Sequence, residues 1–326
     1  MKQHYIPRCY LKRFSGNTKS ILTYDKINSK IYNANLMSVC CANDMYTLSD
    51  TYIGEHNSQM DNKINELSIE HHHFANFVEP EFTKILRTID EIKDEWVSGK
   101  GEYRLMYAEK KELALHIVTQ YLRHPLVQEA NVNNYLRFEK AGIDMTKHIL
   151  SKIHNKPAYN DLEIKVKCED PALHANLTYL NEDTLMKFAN AIASNVWVFL
   201  ISENSKFYTS DFPIVLYPHV EGSRSIYMGL VQYGGELTFP LSPSLMLVAF
   251  DKVYFSHKVN EDCSFIKATD KEVRRQNMLR YFYANQHVFS LQNDFELIEC
   301  IRKKEGRHVF YKVNLNSEIV TGLGRY

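Results

Sequence analysis

The sequence has no excess charge of either sign and no apolar run long enough for a membrane span. Lysine plus arginine equals aspartate plus glutamate at 39 each in 326 residues, so the formal net charge is zero. A neutral chain argues against a protein that coats nucleic acid or an anionic membrane by bulk electrostatics, although it leaves room for a local basic cleft. The longest apolar stretches, near Trp197 and Leu247, have the length of strands, whereas a span needs about 20 residues. No membrane association is therefore expected.

Metal-binding and redox cysteine motifs are also missing. Six cysteines are present, and the close pair, Cys40 and Cys41, is adjacent, which suits neither a mutual bridge nor a zinc half-site. We interpret them as reduced core residues of a cytoplasmic protein, and no apolar signal segment follows Met1. The sequence lacks phosphate-loop, dinucleotide, nucleophile-elbow and zinc-finger signatures as well, which disfavours the corresponding enzyme classes.

The hydrophobic content of 44% is enough for a real core. We predict one large domain over 1–326 with two intimate halves, because the pattern changes character near the middle of the chain. Residues 1–175 should form an arm, a hairpin and helices, and residues 176–326 should be rich in strands. Helices early and strands late predict an α+β fold.

The first half should begin with an extended arm, because Pro7 suits an arm better than a helix interior. Two runs rich in Ile and Tyr around a polar turn predict a β-hairpin over 18–33. Apolar residues at three- and four-residue steps then predict the following helices: 59–95 with a break at Pro80, a buried helix over 108–124, and 125–154 with an interruption near Gly142. A loop should follow over 155–175.

The second half should be mainly an antiparallel sheet with helices. Helices are predicted over 181–194 and 270–286. Strand-length runs with β-branched or aromatic residues predict the strands, which are WVFLIS, KFYTS, PIVLY, SIYMGL, GELTFPL, LMLVAFD, HVFSL, FELIECI and HVFYKV.

The arm concentrates titratable and aromatic side chains where most chains fray. His4 and Tyr5 are followed by Arg8, Tyr10 and Arg13. Such an arm can lie over a cleft and supply a histidine as general base or ligand. The alternative is that its aromatic residues only anchor the terminus on the core.

The buried helix ends in polar groups that need partners. Gln120 and Arg123 lie one turn apart, and an unpaired buried guanidinium is costly. Arg123 therefore either clamps an anion or caps the helix and pairs with an internal acid. Ser210 and Asp211 end a predicted strand, where Asp211 is the natural partner for Arg123 or His4, or else initiates a turn.

Two further features have both a functional and a structural interpretation. Glu70 and His73 form one half of a helical carboxylate metal motif, but no second copy occurs, so no metal ligands are assigned. A divalent metal cofactor is nevertheless compatible with the sequence. Asn277 either completes a polar cluster or caps a neighbouring strand.

In order, these motifs form a recognisable series. They are HYIPRCYLKRF, QYLRHP, FYTSDFPIVL, ELTFPLSPSLMLV and VRRQN before HVFS. This series resembles the bacterial domain-of-unknown-function family 4238, from His4 to about Ser290. The resemblance implies a bacterial, intracellular protein and a polar set comprising His4, Gln120, Arg123, Ser210, Asp211 and Asn277. His124 stands where that family more often has Thr.

Two classes of function follow from these residues. The first is a hydrolase or nuclease acting on a phosphate-containing substrate, with catalytic His4 and Asp211 and with substrate-binding Tyr5, Gln120, Arg123, Ser210 and Asn277. The second is a binding or sensor module, for a protein or nucleic acid, in a defence or toxin system, where the polar set only locks the arm. Single-stranded RNA binding by the 21 Tyr and 17 Phe is a weaker third hypothesis.

Overall fold

A computed structural model gives the fold of the chain. It describes residues 2–59, 64–99, 105–168, 170–222, 225–226, 229–311, 315, 320–321 and 324–325. The predicted strands SIYMGL and HVFYKV lie partly outside the described residues.

Most of the described helices lie in the first half of the chain, and three of those named next, from Ser256 onward, lie late in the second half. They are α1 (Arg8–Lys12), α2 (Asp50–Gln59), a π-helix (Ile69–Val78), α3 (Glu79–Val97), α4 (Tyr107–Leu122), α5 (Pro125–Ile153), a 3-10 turn (Pro157–Tyr159), α6 (Pro171–Leu180), α7 (Glu182–Ala193), a 3-10 helix (Ser256–Glu261), α8 (Asp270–Tyr283) and α9 (Glu296–Glu305).

Strands are mostly in the second half, and the fold is α+β, as predicted. They are β1 (Lys2–His4), β2 (Ser20–Asp25), β3 (Lys30–Asn35), β4 (Cys41–Asn43), β5 (Val196–Ile201), β6 (Thr209–Ser210), β7 (Val215–Pro218), β8 (Ser225–Ile226), β9 (Val231–Gln232), β10 (Gly235–Ser242), β11 (Leu245–Phe250), β12 (Ser264–Lys267), β13 (His287–Ser290), β14 (Val320–Thr321) and β15 (Gly324–Arg325).

Two larger sheets organise these strands. One has the order β12-β5-β11-β10-β7 and is antiparallel except between β12 and β5. The other has the order β3-β2-β13-β6 and is antiparallel throughout, so it joins the predicted hairpin to strands from the second half. The hairpin prediction is confirmed, and its pairing with β13 places the hairpin beside a strand of the second half.

One hydrophobic cluster draws on both halves of the chain. It extends from Ile6 in the arm through Leu113 and Ile117 of α4 to Phe199 of β5. Every residue of β5 is buried, which is why its sequence is continuously apolar. Helix α4 is buried along most of its length, as its apolar sides predicted, so the polar groups near its end lie inside the protein.

The loop predicted over 155–175 is too long, because α6 begins at Pro171 with Asp170 as its N-cap. Three other local predictions were wrong. The arm is extended only up to His4, because Pro7 serves as the N-cap of α1, and proline fits at a helix start. Helix α5 continues through Gly142, since one glycine costs only about 1 kcal/mol in a 29-residue helix. The run FELIECI lies in α9 instead of a strand.

The sequence of α9 explains the last of these errors. Glu296 and Glu299 lie in its first turn and basic residues in its last, which complements the helix dipole. Gly306 then ends it in the left-handed conformation, with φ of 67°. A short apolar run fits both the two-residue period of a strand and the 3.6-residue period of a helix. The signals at the two ends of the run are therefore the better guide, and they indicate a helix.

The predicted boundary near Pro80 is confirmed, although the first segment is unusual. The chain is a π-helix up to Val78, and α3 begins at Glu79 with Pro80 in its first turn. π-Helical geometry is rare in proteins, and where it does occur it is often at a functional site. None of the described helices has the apolar length that a bilayer crossing requires.

Candidate functional site

Arg123 binds the arm from the end of α4. Its Nη2 donates to the His4 carbonyl at 2.6 Å, and its Nε donates to the Tyr46 hydroxyl at 3.3 Å. The guanidinium also pairs with Glu79, with Nη1–Oε1 at 3.4 Å, and lies 3.8 Å from the ring centroid of Phe74. Because Arg123 is only 1% exposed, these contacts describe an internal pair and not an open anion clamp.

Gln120 makes a second bond to the arm. Its Nε2 donates to the Tyr5 carbonyl at 2.9 Å. The His4 ring lies outside this network, because its Nε2 is 3.2 Å from the Leu36 carbonyl and the ring is half-buried. Gln120 and Arg123 therefore hold two consecutive backbone carbonyls, and we call this arrangement the arm latch.

Asp211 binds a different segment. Its carboxylate accepts the backbone N–H groups of Asn285, Gln286 and His287 at 2.8, 2.7 and 2.8 Å. The His287 ring is 3.8 Å away. Burial raises the pKa of Asp211, and the N–H bonds and His287 oppose this shift.

The prediction that Asp211 pairs with Arg123 or His4 was wrong. The N–H groups that follow α8 bind its carboxylate instead, so it acts locally at the meeting point of β6 and β13. Ser210 is also used locally, since its Oγ donates to the Phe212 carbonyl at 2.8 Å. Ser210 thus makes a local turn bond, whereas the turn-forming alternative for Asp211 is also wrong, because its carboxylate binds the N–H groups of residues 285–287 and not its own neighbouring backbone.

Asn277 binds a neighbouring backbone segment. Its Oδ1 accepts the Tyr208 N–H at 2.8 Å, and its Nδ2 donates to the Lys206 carbonyl at 2.9 Å. These bonds join α8 to the approach to β6, which matches the strand-capping alternative. They place Asn277 away from the arm latch.

His124 connects the arm to Asp211 and residues 285–287, an arrangement that we call the Asp211 turn. Its ring packs edge-on against Tyr5, with centroids 5.5 Å apart, and against Phe212, with centroids 4.3 Å apart. Nδ1 accepts the Leu126 N–H at 3.2 Å, and the ring also hydrogen-bonds the Asp211 backbone. Burial lowers the pKa of His124 to about 3, so the ring is neutral.

Tyr5 belongs to the same buried contact region. Burial raises the pKa of its hydroxyl, which hydrogen-bonds Cys40, and the nearby Asp211 charge raises it further. The Tyr5 hydroxyl therefore stays un-ionised and bonded to the Cys40 thiol, which is a packing contact inside the protein. The predicted polar set is thus divided between the arm latch, the Asp211 turn and Asn277.

An open cavity borders the arm latch. It measures about 610 Å³ and we call it the arm pocket; its lining includes Arg8, Lys12, Lys19, Asn35, Met37 and Glu79. Arg8 and Lys12 come from α1, whereas Lys19 and Asn35 flank the open end of the hairpin. Three cations therefore surround a cavity whose acid, Glu79, is already paired with Arg123.

The π-helix contacts the arm latch, because its Phe74 packs against Arg123 and Tyr46. Burial raises the pKa of Glu70, and the Arg123 charge opposes that shift. Burial and the charge of Arg123 lower the pKa of His73. The described residues contain no group of three or more His, Cys, Asp or Glu side chains placed to hold a metal ion.

Sequence reasoning missed the partner residues that complete the arm latch and the Asp211 turn, which together are the two anchors of the structure. Glu79 pairs with Arg123 from 44 residues away, and His287 reaches Asp211 from β13. Lys12 and Lys19 were not singled out, since each is an ordinary exposed lysine in the sequence until α1 and the hairpin bring them to one cavity. The position of Glu79 in the first turn of α3 was visible, but a first-turn acid is common and marks no partner.

The fold and these anchors define an α+β protein whose N-terminal arm is locked onto a buried helix. A family described as "Protein of unknown function (DUF4238)" matches residues 2–294, and the chain belongs to this family. Comparison with curated proteins and with solved structures gives no match.

Proposed function

We propose that the protein binds a phosphate-bearing anion in the arm pocket. The observation that supports this most strongly is the placement of Arg8, Lys12 and Lys19 around one open cavity in a chain without net charge. Arginine and lysine are the side chains that bind phosphate oxygens by charge-assisted hydrogen bonds. Leu36 and Met37 add apolar wall for the rest of such a ligand.

Binding in the arm pocket is favoured over catalysis because catalytic Asp211 and the substrate-binding Gln120 and Arg123 of the predicted site already bind other groups of the protein. Gln120, Arg123 and Asp211 are buried and bind backbone groups, so a substrate would have to replace those bonds. A pocket for chemistry must be open, whereas a structural network can be sealed. These engaged side chains support a binding or sensor protein, and we propose in addition that it acts in the cytoplasm, in a bacterial defence or toxin system.

A hydrolase or nuclease is the second candidate, and His4 is the observation in its favour. Burial lowers the pKa of His4, and the charges of Arg8 and Arg123 lower it further. The ring is therefore neutral near pH 7 and has the protonation state of a general base. His4→Gln should abolish phosphate release from a bound substrate while leaving the melting temperature within a few degrees.

The binding proposal is tested by titrating the protein with pyrophosphate and with AMP, with and without Mg²⁺. Arg8→Ala, Lys12→Ala and Lys19→Ala should each weaken binding, because a hydrogen bond to a charged group contributes about 1.5–3 kcal/mol. The double variant Lys303→Ala/Lys304→Ala, which removes two exposed cations of α9, is the matched control. Unchanged affinity in the arm-pocket variants, or equal loss in the control, would overturn the proposal.

A further inference from the structure

A second open cavity borders the Asp211 turn. It measures about 540 Å³ and we call it the turn pocket; its lining includes Glu129, Asn133, Tyr283, Asn285, Phe310 and Tyr311. Ile27, at the tip of the hairpin, also lines it, whereas Lys19 at the other end of the hairpin lines the arm pocket. Strands of six residues separate these ends by about 20 Å, so the two pockets are distinct.

Aromatic rings form the wall of the turn pocket. Tyr311 meets Tyr283 edge-on, with centroids 5.7 Å apart at 89°, so the two rings form a corner. Phe310 and Tyr311 remain 47% and 48% exposed. Lys26 lies 3.9 Å from the Phe310 ring centroid, and this cation–π contact holds an exposed ring in place.

Polar groups form the rim. Glu129 and Asn133 lie one turn apart on α5, and Asn285 follows α8. Within the described part of the chain, these three side chains make no hydrogen bond, and all three are exposed. The backbone of Asn285 is fixed by Asp211, so the rim is anchored although its side chains are free to bind.

We propose that the turn pocket binds a flat, nucleobase-like heteroaromatic ring whose edge carries N–H donors. The aromatic corner offers faces for stacking, which every base can use. Glu129 accepts N–H donors only, whereas the two amides both donate and accept. This site goes beyond the proposed function, because it uses other residues and does not require a phosphate.

The test is a titration of the full chain with guanosine, adenosine, cytidine and uridine, followed by calorimetry or ligand-observed NMR. Purines should bind more tightly than uridine because they stack over a larger area. Tyr311→Ala should weaken purine binding roughly fivefold or more, which corresponds to the lower range for one stacked base. Glu129→Gln should weaken guanosine more than uridine.

Phe138→Ala provides the matched control. Phe138 is an aromatic residue on α5, the helix that carries Glu129, and it is 66% exposed and lies outside the turn pocket. It should leave nucleoside affinity unchanged. Tyr283→Leu is the second pocket variant if Tyr311→Ala lowers the melting temperature. Absence of binding at millimolar nucleoside, or equal affinity of both pocket variants and the control, would overturn the inference. Arg8→Ala should not affect nucleoside binding, so failure here is distinguishable from failure of the arm pocket.

Discussion

The arm latch and the Asp211 turn hold backbone segments with buried charges of opposite sign. Arg123 donates to a carbonyl of the arm at 2.6 Å, whereas Asp211 accepts three consecutive N–H groups at 2.7–2.8 Å. In both regions, a side chain that the sequence predicted for a functional site instead forms hydrogen bonds with backbone groups.

The two regions differ in how the charge is compensated. Arg123 has a carboxylate partner in Glu79 and two aromatic faces, so its charge is shared with other side chains. Asp211 is compensated mainly by backbone dipoles, which cannot move away when the carboxylate is lost. The comparison suggests that the turn is the more sensitive of the two anchors.

The largest expected effect is therefore that of Asp211→Ala. Three N–H groups would be left without their acceptor in a buried setting, and we expect a loss of about 3–5 kcal/mol in the free energy of unfolding, measured in urea. Asp251 is the matched control, because it also accepts three N–H groups, those of Gly234, Val253 and Tyr254, but is only half-buried. Equal losses for Asp251→Ala and Asp211→Ala would contradict the argument from burial.

Arg123→Met should have the next largest effect, about 2–4 kcal/mol, because it leaves the His4 carbonyl and Glu79 without their partner. Adding Glu79→Gln should recover part of the loss, since the unpaired carboxylate is then removed. The measurement is a double-mutant cycle on the free energy of unfolding. Strictly additive losses would show that the Arg123–Glu79 pair contributes nothing to the latch.

His124 links the two regions and predicts a pH dependence. Its folded pKa of about 3 lies below the unfolded value near 6.5, so the unfolded state takes up the proton first as pH falls. Stability is unaffected above pH 6.5 and is lost between pH 6.5 and about 3, by about 1.4 kcal/mol per pH unit.

The measurement is the free energy of unfolding at pH 7 and pH 5 for the wild type and for His124→Gln. The variant should show the shallower dependence, because it removes one buried titrating ring. His116→Gln is the comparison variant. Burial lowers the pKa of His116 to about 4, and this residue lies on α4 about two turns before His124 and outside the arm latch. An unchanged slope in His124→Gln would mean that the ring does not stay neutral in the fold.

Gln120→Ala should have the smallest effect, about 1 kcal/mol, because it removes one hydrogen bond to the arm. The loss should appear as faster hydrogen exchange in residues 2–6. Gln128→Ala is the control, because Gln128 is a buried amide that bonds Asn176 and not the arm. Faster exchange in the arm of both variants would indicate general destabilisation instead of latch opening.

The sequence was most informative where one period extended over many residues. The buried helix predicted over 108–124 is α4, and it places Gln120 and Arg123 inside the protein. The cost of burying a guanidinium also predicted that Arg123 needs a partner. The run FELIECI misled because seven residues do not distinguish a period of two from one of 3.6.

Partners were the least predictable feature. Asp211 was expected to meet Arg123 or His4, but the chain after α8 supplies its donors from 74 residues away. Similarly, α1 and the hairpin bring Lys12 and Lys19 to one cavity, although neither lysine was among the predicted site residues.

By itself, then, the sequence determined the fold class, the hairpin, the buried α4 and the need to satisfy the polar groups at its end. These properties follow from local periodicity and from the cost of burying charge, which neighbouring residues already express. Only the tertiary structure decided that Arg123 and Gln120 hold backbone carbonyls, that Asp211 holds backbone N–H groups, and where the open pockets lie. Such contacts require atoms to come within about 3 Å, and the packing of segments distant in the chain determines which atoms do so.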